Sequence, residues 1–351
     1  MSKPATTSSM DWMRIWMRRG LCAIALWPLS MLFRALVAVR RIAYGCGILK
    51  SARLPVPVIV VGNIFVGGTG KTPMTIWLVA ALRRAGFRPG VISRGYGAKG
   101  QASRTVAAMS DPRDVGDEPL LIMQNTHCPV TVGRDRVAAA QALLASNPEV
   151  NVVISDDGLQ HYALKRDVEI VLFDGRGAGN GWMLPAGPLR EPLSRRRDFT
   201  VINGSNYPAP DNPICSGDIF LMRLEADSAE QLMDRSRNVP LTELSGNAHG
   251  GAPRIAAAAG IGNPARFFST LRAARLEFEE IPLPDHFDFT ATTFANVEAD
   301  IILVTEKDAV KCARIDALAR DPRIWVVPAK ANIEAGLEQK IVEKCREYRI
   351  A

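Results

Sequence analysis

The stretch "VIVVGNIFVGGTGKTP", Val58 to Pro73, opens with a β-branched apolar run and closes on Gly70-Lys71-Thr72. The run predicts a short buried strand of a parallel sheet. "PMTIWLVAALRRAG" follows as a helix, with Pro73 in its first turn and Gly86 at its end. Strand, glycine-rich turn and helix together form the setting of a phosphate-binding loop, in which backbone N–H groups and the helix dipole hold an anion. The usual spacing, Gly-x-x-x-x-Gly-Lys-Ser/Thr, asks for glycine at 65, where Phe65 stands. Gly67 and Gly68 offset that loss. The partitioning-type ATPase variant would carry lysine directly before the Gly-Gly pair, and Val66 occupies that place. In the nucleotide reading the amides of Gly67, Gly68, Thr69 and Gly70 cradle phosphate. Lys71 reaches the β- and γ-phosphates, and Thr72 coordinates Mg²⁺. A plain strand–helix turn is the ordinary alternative, but it needs neither so many glycines nor the lysine.

Strands and helices alternate outward from this loop. "RPGVIS", "VNVVISD", "DVEIVLFD" and "DFTVING" read as strands, and "GRDRVAAAQALLASN" as a helix. This rhythm predicts a mostly parallel sheet with helices on both faces. Residues 205–250 are mixed and rich in Pro, Ser, Asn and Gly. The pattern then restarts with "RIAAAAGIG", "PARFFSTLRAA", "EFEEIPL", "DIILVTEKD" and "RIWVVPA" and ends in a helix. The expected layout is an N-terminal segment (1–50), a P-loop core (51–220), a linker (221–252) and a smaller Rossmann-like α/β domain (253–351), with a cleft between the two domains. "AGIGNPA", with Glu280 beyond it, is a weak dinucleotide fingerprint. It supports the Rossmann-like reading more than it supports NAD.

The chain of 351 residues is 47% hydrophobic and 23% charged, enough for two cored domains. Its net charge of +7 is concentrated in residues 1–53, where nine basic residues face Asp11 alone. The remainder is nearly neutral, so a nucleic-acid partner is not expected. The basic segment surrounds the apolar run Leu21–Val39. At 100° per residue, Arg19, Ser30, Arg34 and Arg41 fall within about a 60° arc, leaving Leu21, Ile24, Leu32, Leu36 and Val39 elsewhere. A helix lying in the headgroup layer is the preferred reading. A spanning helix is the second, against which Pro28 and Arg34 count. A signal peptide is the third. Six scattered cysteines without a Cys-x-x-Cys pair suggest reduced thiols.

Several carboxylates could carry chemistry. "VVISDDGLQH" ends an apolar strand in Asp156 and Asp157, either of which could hold Mg²⁺. Adjacent side chains on an extended chain point to different sides, so the two need not share a task. Asp117, in "DVGDEPLL", is one candidate for a base that accepts a hydroxyl proton, with helix capping as the alternative. His286, between Asp285 and Asp288, could support such a base. Arg94, Arg134, Arg136, Arg190 and Arg195 to Arg197 are loop arginines suited to phosphate or simply to solvent.

"VGNIFVGGTGKTP", "SRGYG", "GDEP", "DDGLQH", "LPAGPLREP", "PDHFDF" and "TEKDAVK" occur in this order, and the combination resembles the tetraacyldisaccharide 4'-kinases of lipid A biosynthesis over nearly the whole chain. The resemblance implies a P-loop core with an α/β lid. It implies transfer of the MgATP γ-phosphate to the 4'-hydroxyl of a tetraacylated glucosamine disaccharide 1-phosphate. It also implies work at the cytoplasmic face of the bacterial inner membrane, peripherally or through one N-terminal anchor, by a monomer. On this reading Lys71 and Thr72 match the ATP and Mg²⁺ residues. Asp117 matches the catalytic base, and His286 its support. Asp156 and Asp157 match the metal pair. Arg190 and Glu191 match a nucleotide loop, and Arg94, Gln160 and Asn63 face the substrate. A membrane-recruited P-loop switch ATPase working through protein partners is the alternative.

Overall fold

The computed structural model describes residues 7–95, 102–209, 212–244 and 253–348, with side chains from residue 12 onward. The chain divides into two compact units. Unit 1 comprises Met1–Arg94, Asp135–Arg223 and Ile333–Ala351; unit 2 comprises Gly95–Arg134 and Leu224–Asn332.

Unit 1 is built on six neighbouring strands in the order Asp218–Glu225, Phe199–Asn203, Val168–Asp174, Val58–Asn63, Val152–Asp156 and Pro89–Ser93. All their pairings are parallel. Val58–Asn63 is buried at every position, as a central parallel strand with both faces covered must be. The helix Lys71–Arg84 turns Met74, Leu78 and Leu82 inward, each fully buried. The helix Arg136–Ser146 is started by Asp135, whose carboxylate accepts from the amides of Val137 and Ala138. Because neighbouring parallel strands end on the same side, Asn63, Asp156, Asp174 and Asn203 collect at one edge of the sheet.

A first helix, Thr7–Met17, precedes a second, Leu21–Gly45, which runs uninterrupted through Pro28. Phe33 and Val37 pack on the unit 1 core, and Ala23 and Ser30 are buried. The opposite face exposes Leu21, Ile24, Leu32, Leu36, Val39 and Ile42, each more than half accessible. By length and composition this helix could cross a membrane. The expected polar stripe is corrected at Ser30, while Arg19 lies exposed in the turn before the helix. Ser30 faces inward and donates to the Met183 carbonyl at 2.7 Å, and Arg19 donates to the Asn180 carbonyl at 3.0 Å. A helical wheel cannot tell a polar group satisfied by protein from one satisfied by water.

Unit 2 holds a six-stranded sheet in the order Asn238–Pro240, Ser228–Gln231, Ile324–Val327, Ile301–Thr305, Ile255–Ala259 and Glu279–Pro282. The last four are parallel and the first two pair antiparallel. Two strands and the short helix Leu241–Leu244 thus fall within the stretch read as a linker, whose residues 245–252 lie outside the described set. "TEKD" opens the helix Glu306–Cys312 and does not prolong its strand. Thr305 caps that helix by accepting from the Asp308 amide. At the "AGIGNPA" turn the Gly260 amide donates to Asp308 at 2.9 Å. A β-carbon on Gly260 would meet that carboxylate at 2.8 Å.

Candidate active site

The glycine-rich loop follows Val58–Asn63 and leads into the helix Lys71–Arg84. Gly67 and Gly70 have φ of 105° and 95°, left-handed values that glycine adopts without strain. The amides of Gly67, Gly68, Thr69 and Gly70 take no acceptor among the described residues. Phe65, in the place of the usual glycine, is fully buried beneath the loop. The opposite wall is the segment Trp182–Glu191. Val66 N–H donates to the Pro188 carbonyl at 3.0 Å, and Arg190 N–H to the Ile64 carbonyl at 2.7 Å.

Lys71 lies 3.4 Å from Asn63 Oδ1 and 3.8 Å from Asp157 Oδ1. Arg190 spans Asp157 with both Nη atoms, at 3.0 and 3.3 Å, and donates to the Asn63 carbonyl at 2.8 Å. Burial would raise the Asp157 carboxyl, but the charges of Lys71 and Arg190 outweigh it and hold the group down to about 2. Asp157 itself has φ of 46°. The two adjacent aspartates diverge because the strand ends at Asp156 and Asp157 enters a left-handed turn. Asp156 is buried and accepts from Thr75 at 3.4 Å and Ser93 at 3.2 Å, whereas the Asp157 side chain is one-third exposed. Thr72 is half-buried, with no hydrogen bond from its hydroxyl among the described residues.

The second set lies wholly in unit 2. Asp117 is the first residue of the helix Asp117–Thr126, where the helix dipole favours an anion. Its Oδ1 accepts from the Glu118 amide at 3.0 Å. Its Oδ2 lies 3.1 Å from His286 Nδ1 and 3.3 Å from Lys311 Nζ. Lys307 completes the set, 3.4 Å from His286 Nε2, 3.3 Å from Glu118 and 3.2 Å from Asp285. Burial would raise the Asp117 carboxyl, but the His286 hydrogen bond and the charges of Lys307, His286 and Lys311 prevail. They hold it well below the usual carboxylate range. The same hydrogen bond raises His286.

Other expected residues stand differently. Asn63 is fully buried, its amide donating to the Gly67 carbonyl at 2.8 Å and its oxygen accepting from Lys71 and Arg190, so its polar atoms serve the loop. Glu191 is buried, accepting from Tyr162 at 2.5 Å with Arg195 at 2.9 Å. Gln160 Nε2 is buried without a partner among the described residues. Arg94 is exposed just past the strand Pro89–Ser93. Sequence reasoning missed Lys307 and Lys311. Their i,i+4 spacing in "TEKDAVK" is the signal that puts both on one helix face.

The family profile described as Tetraacyldisaccharide-1-P 4'-kinase matches residues 22–346. The chain belongs to that family. It is therefore a kinase that phosphorylates a lipid A precursor at the 4' position. A tetraacyldisaccharide 4'-kinase of Herminiimonas arsenicoxydans is 60% identical over 347 residues, covering 96% of each chain. One from Dechloromonas aromatica is 47% identical over 341 residues, covering 93% of this chain and 95% of the other. Among solved structures, LpxK from Aquifex aeolicus in complex with ATP superposes with a TM-score of 0.76 at 28% identity, covering 93% of this chain and 99% of that one. The family's fold is thus the P-loop α/β architecture seen here.

Proposed function

We propose that the loop Gly67–Thr72 binds the triphosphate of ATP and that Asp117 accepts the proton of the lipid 4'-hydroxyl. The carrying observation is the Asp117–His286 pair, a carboxylate kept ionised by one histidine and two lysines. The 4'-oxygen forms the new bond to the γ-phosphorus while the bond from that phosphorus to the β,γ-bridging oxygen breaks. The loop amides and Lys71 stabilise the charge on the transferring group. A carboxylate this acidic is a weak base. It suffices because the transition state is loose and the hydroxyl proton leaves late. His286 orients Asp117 through Nδ1, and Lys311 fixes the same oxygen. Arg190 and Asp157 hold Lys71 and Asn63 in register.

Mg²⁺ fits the donors present. The Thr72 hydroxyl and the Asp157 carboxylate are hard oxygens at the loop, and Asp156 backs them from the interior. When bound, the ion would neutralise phosphate charge. A substrate with four acyl chains stays in its bilayer, because each buried CH₂ is worth about 0.8 kcal/mol. The exposed apolar face of Leu21–Gly45, flanked by arginines, supports work at the inner face of the bacterial inner membrane.

Purified protein incubated with MgATP and tetraacyldisaccharide 1-phosphate in detergent should yield a lipid bearing a second phosphate. ATP hydrolysis without a phosphorylated lipid would instead favour a membrane-recruited switch ATPase.

A further inference from the structure

The carbonyls of Gly67, Gly68 and Thr69 are each held from outside the loop. Asn63 Nδ2 donates to the Gly67 oxygen at 2.8 Å, Arg176 Nη2 to the Gly68 oxygen at 2.8 Å, and Asn203 Nδ2 to the Thr69 oxygen at 2.9 Å. The three donors stand at or just past the ends of three adjacent parallel strands, Val58–Asn63, Val168–Asp174 and Phe199–Asn203. The geometry points to Arg176 and Asn203 as positioning residues for the nucleotide phosphates, through the carbonyls they turn away from the cradle.

A peptide carbonyl facing a phosphate would repel it, and its own amide partner would then face away. Drawing three successive carbonyls outward leaves the amides of the loop without acceptors among the described residues. Arg176 is held rigidly for this task. Its side chain is 15% exposed, and Nε lies 3.0 Å from both oxygens of the buried Asp174. Nη2 reaches the same carboxylate at 2.6 Å. Its guanidinium stacks on Phe65, 4.4 Å from the ring centroid. Phe65 therefore has a use that glycine at that position could not supply: it is the floor on which the arginine lies. The glycines are also explained. A β-carbon at Gly70 would stand 2.4 Å from Asn203 Nδ2, and one at Gly67 would stand 3.3 Å from Arg176 Nη1. A side chain at Gly70 would push Asn203 off its carbonyl; at Gly67 the contact is tight, and the φ of 105° is what favours glycine there. Because Asp174 neutralises Arg176, its contribution is the direction of the peptide units and not bulk positive charge.

This inference rests on the loop being the phosphate site. Steady-state kinetics of Arg176→Met, Arg176→Lys, Asn203→Ala and Lys71→Ala, with ATP and lipid varied separately, tests it. Losing a charge-assisted hydrogen bond should raise KM for ATP about tenfold in Arg176→Met, and losing a neutral one about fivefold in Asn203→Ala. KM for the lipid should stay within twofold. Arg176→Lys, which keeps a donor for the Gly68 oxygen, should fall between Arg176→Met and the natural protein. Unchanged KM for ATP in folded Arg176→Met and Asn203→Ala, with Lys71→Ala inactive, would overturn the positioning role alone. Equal rises for ATP and lipid would also overturn it, because they would mean general loosening. A fully active Lys71→Ala would overturn the phosphate-site reading beneath it. If Arg176→Met fails to fold, Arg176→Lys and Asn203→Ala decide.

Discussion

Replacing Asp117 with asparagine keeps the shape of the side chain and an oxygen for the Glu118 amide, but removes the charge. Lys311 Nζ lies 3.3 Å from Asp117 Oδ2. At an effective dielectric of about 20 that attraction is about 5 kcal/mol. Asparagine leaves the half-buried lysine desolvated without its counter-charge, so the folded protein should lose about 3–5 kcal/mol. Turnover should fall as well. A positioned general base contributes about 10²- to 10⁴-fold, and asparagine cannot accept the hydroxyl proton. The assay is kcat for lipid phosphorylation in detergent micelles, paired with a thermal melt to establish folding. A folded Asp117→Asn protein within tenfold of the natural turnover would refute the assignment of the base. The pH profile adds a second check. The Asp117 carboxyl lies well below its ordinary value. Its protonation should therefore give no acid limb near neutrality. The His286 hydrogen bond stabilises the charged carboxylate, so His286→Ala should let burial raise that group and move the acid limb to higher pH.

Lys71→Ala should lower turnover by at least about 100-fold, as measured by product formation at saturating lipid. Leu32→Glu with Leu36→Glu, on the exposed face of the Leu21–Gly45 helix, should weaken co-sedimentation with anionic liposomes while leaving the melting temperature unchanged; unaltered pelleting would move the membrane contact elsewhere. The Asp157 carboxyl is held down to about 2 against an ordinary value of 3.8. A depressed acid stabilises the fold above its unfolded value, and that contribution disappears as pH falls from about 4 to about 2. Urea unfolding at pH 6 and pH 3 should show a smaller acid-induced loss for Asp157→Asn than for the natural protein.

Much of the core sheet was legible because its strands are short apolar runs rich in Val and Ile, and Asp135 and Gly86 mark helix ends. Asp117 and His286 were individually weak, one acid on a polar turn and one histidine among aspartates. Only the resemblance to a family paired them across the 169 positions that separate them. Contacts of that range leave no local periodicity, which is why Arg176 and Asn203 have no signature in the sequence, whereas Lys307 and Lys311 share a helix face whose partners the sequence does not show. Ser30 was misplaced for a related reason. Its polarity was visible, but its partner, the Met183 carbonyl, is 153 residues away.

The N-terminal helices are tied to residues 180–185, which run into the wall facing the glycine-rich loop. Ser30 bonds Met183, Trp16 Nε1 bonds the Pro185 carbonyl at 3.0 Å, and Arg19 bonds Asn180. A few residues on, the same wall delivers Arg190 to Asn63 and Asp157. On the proposed reading, trimming the helices would therefore cut the guy-lines of the nucleotide site as well as remove the apolar face proposed to meet the membrane. Reduced ATP affinity in such a truncated protein would be a lesion of the catalytic core, and would be misread if charged to the missing membrane.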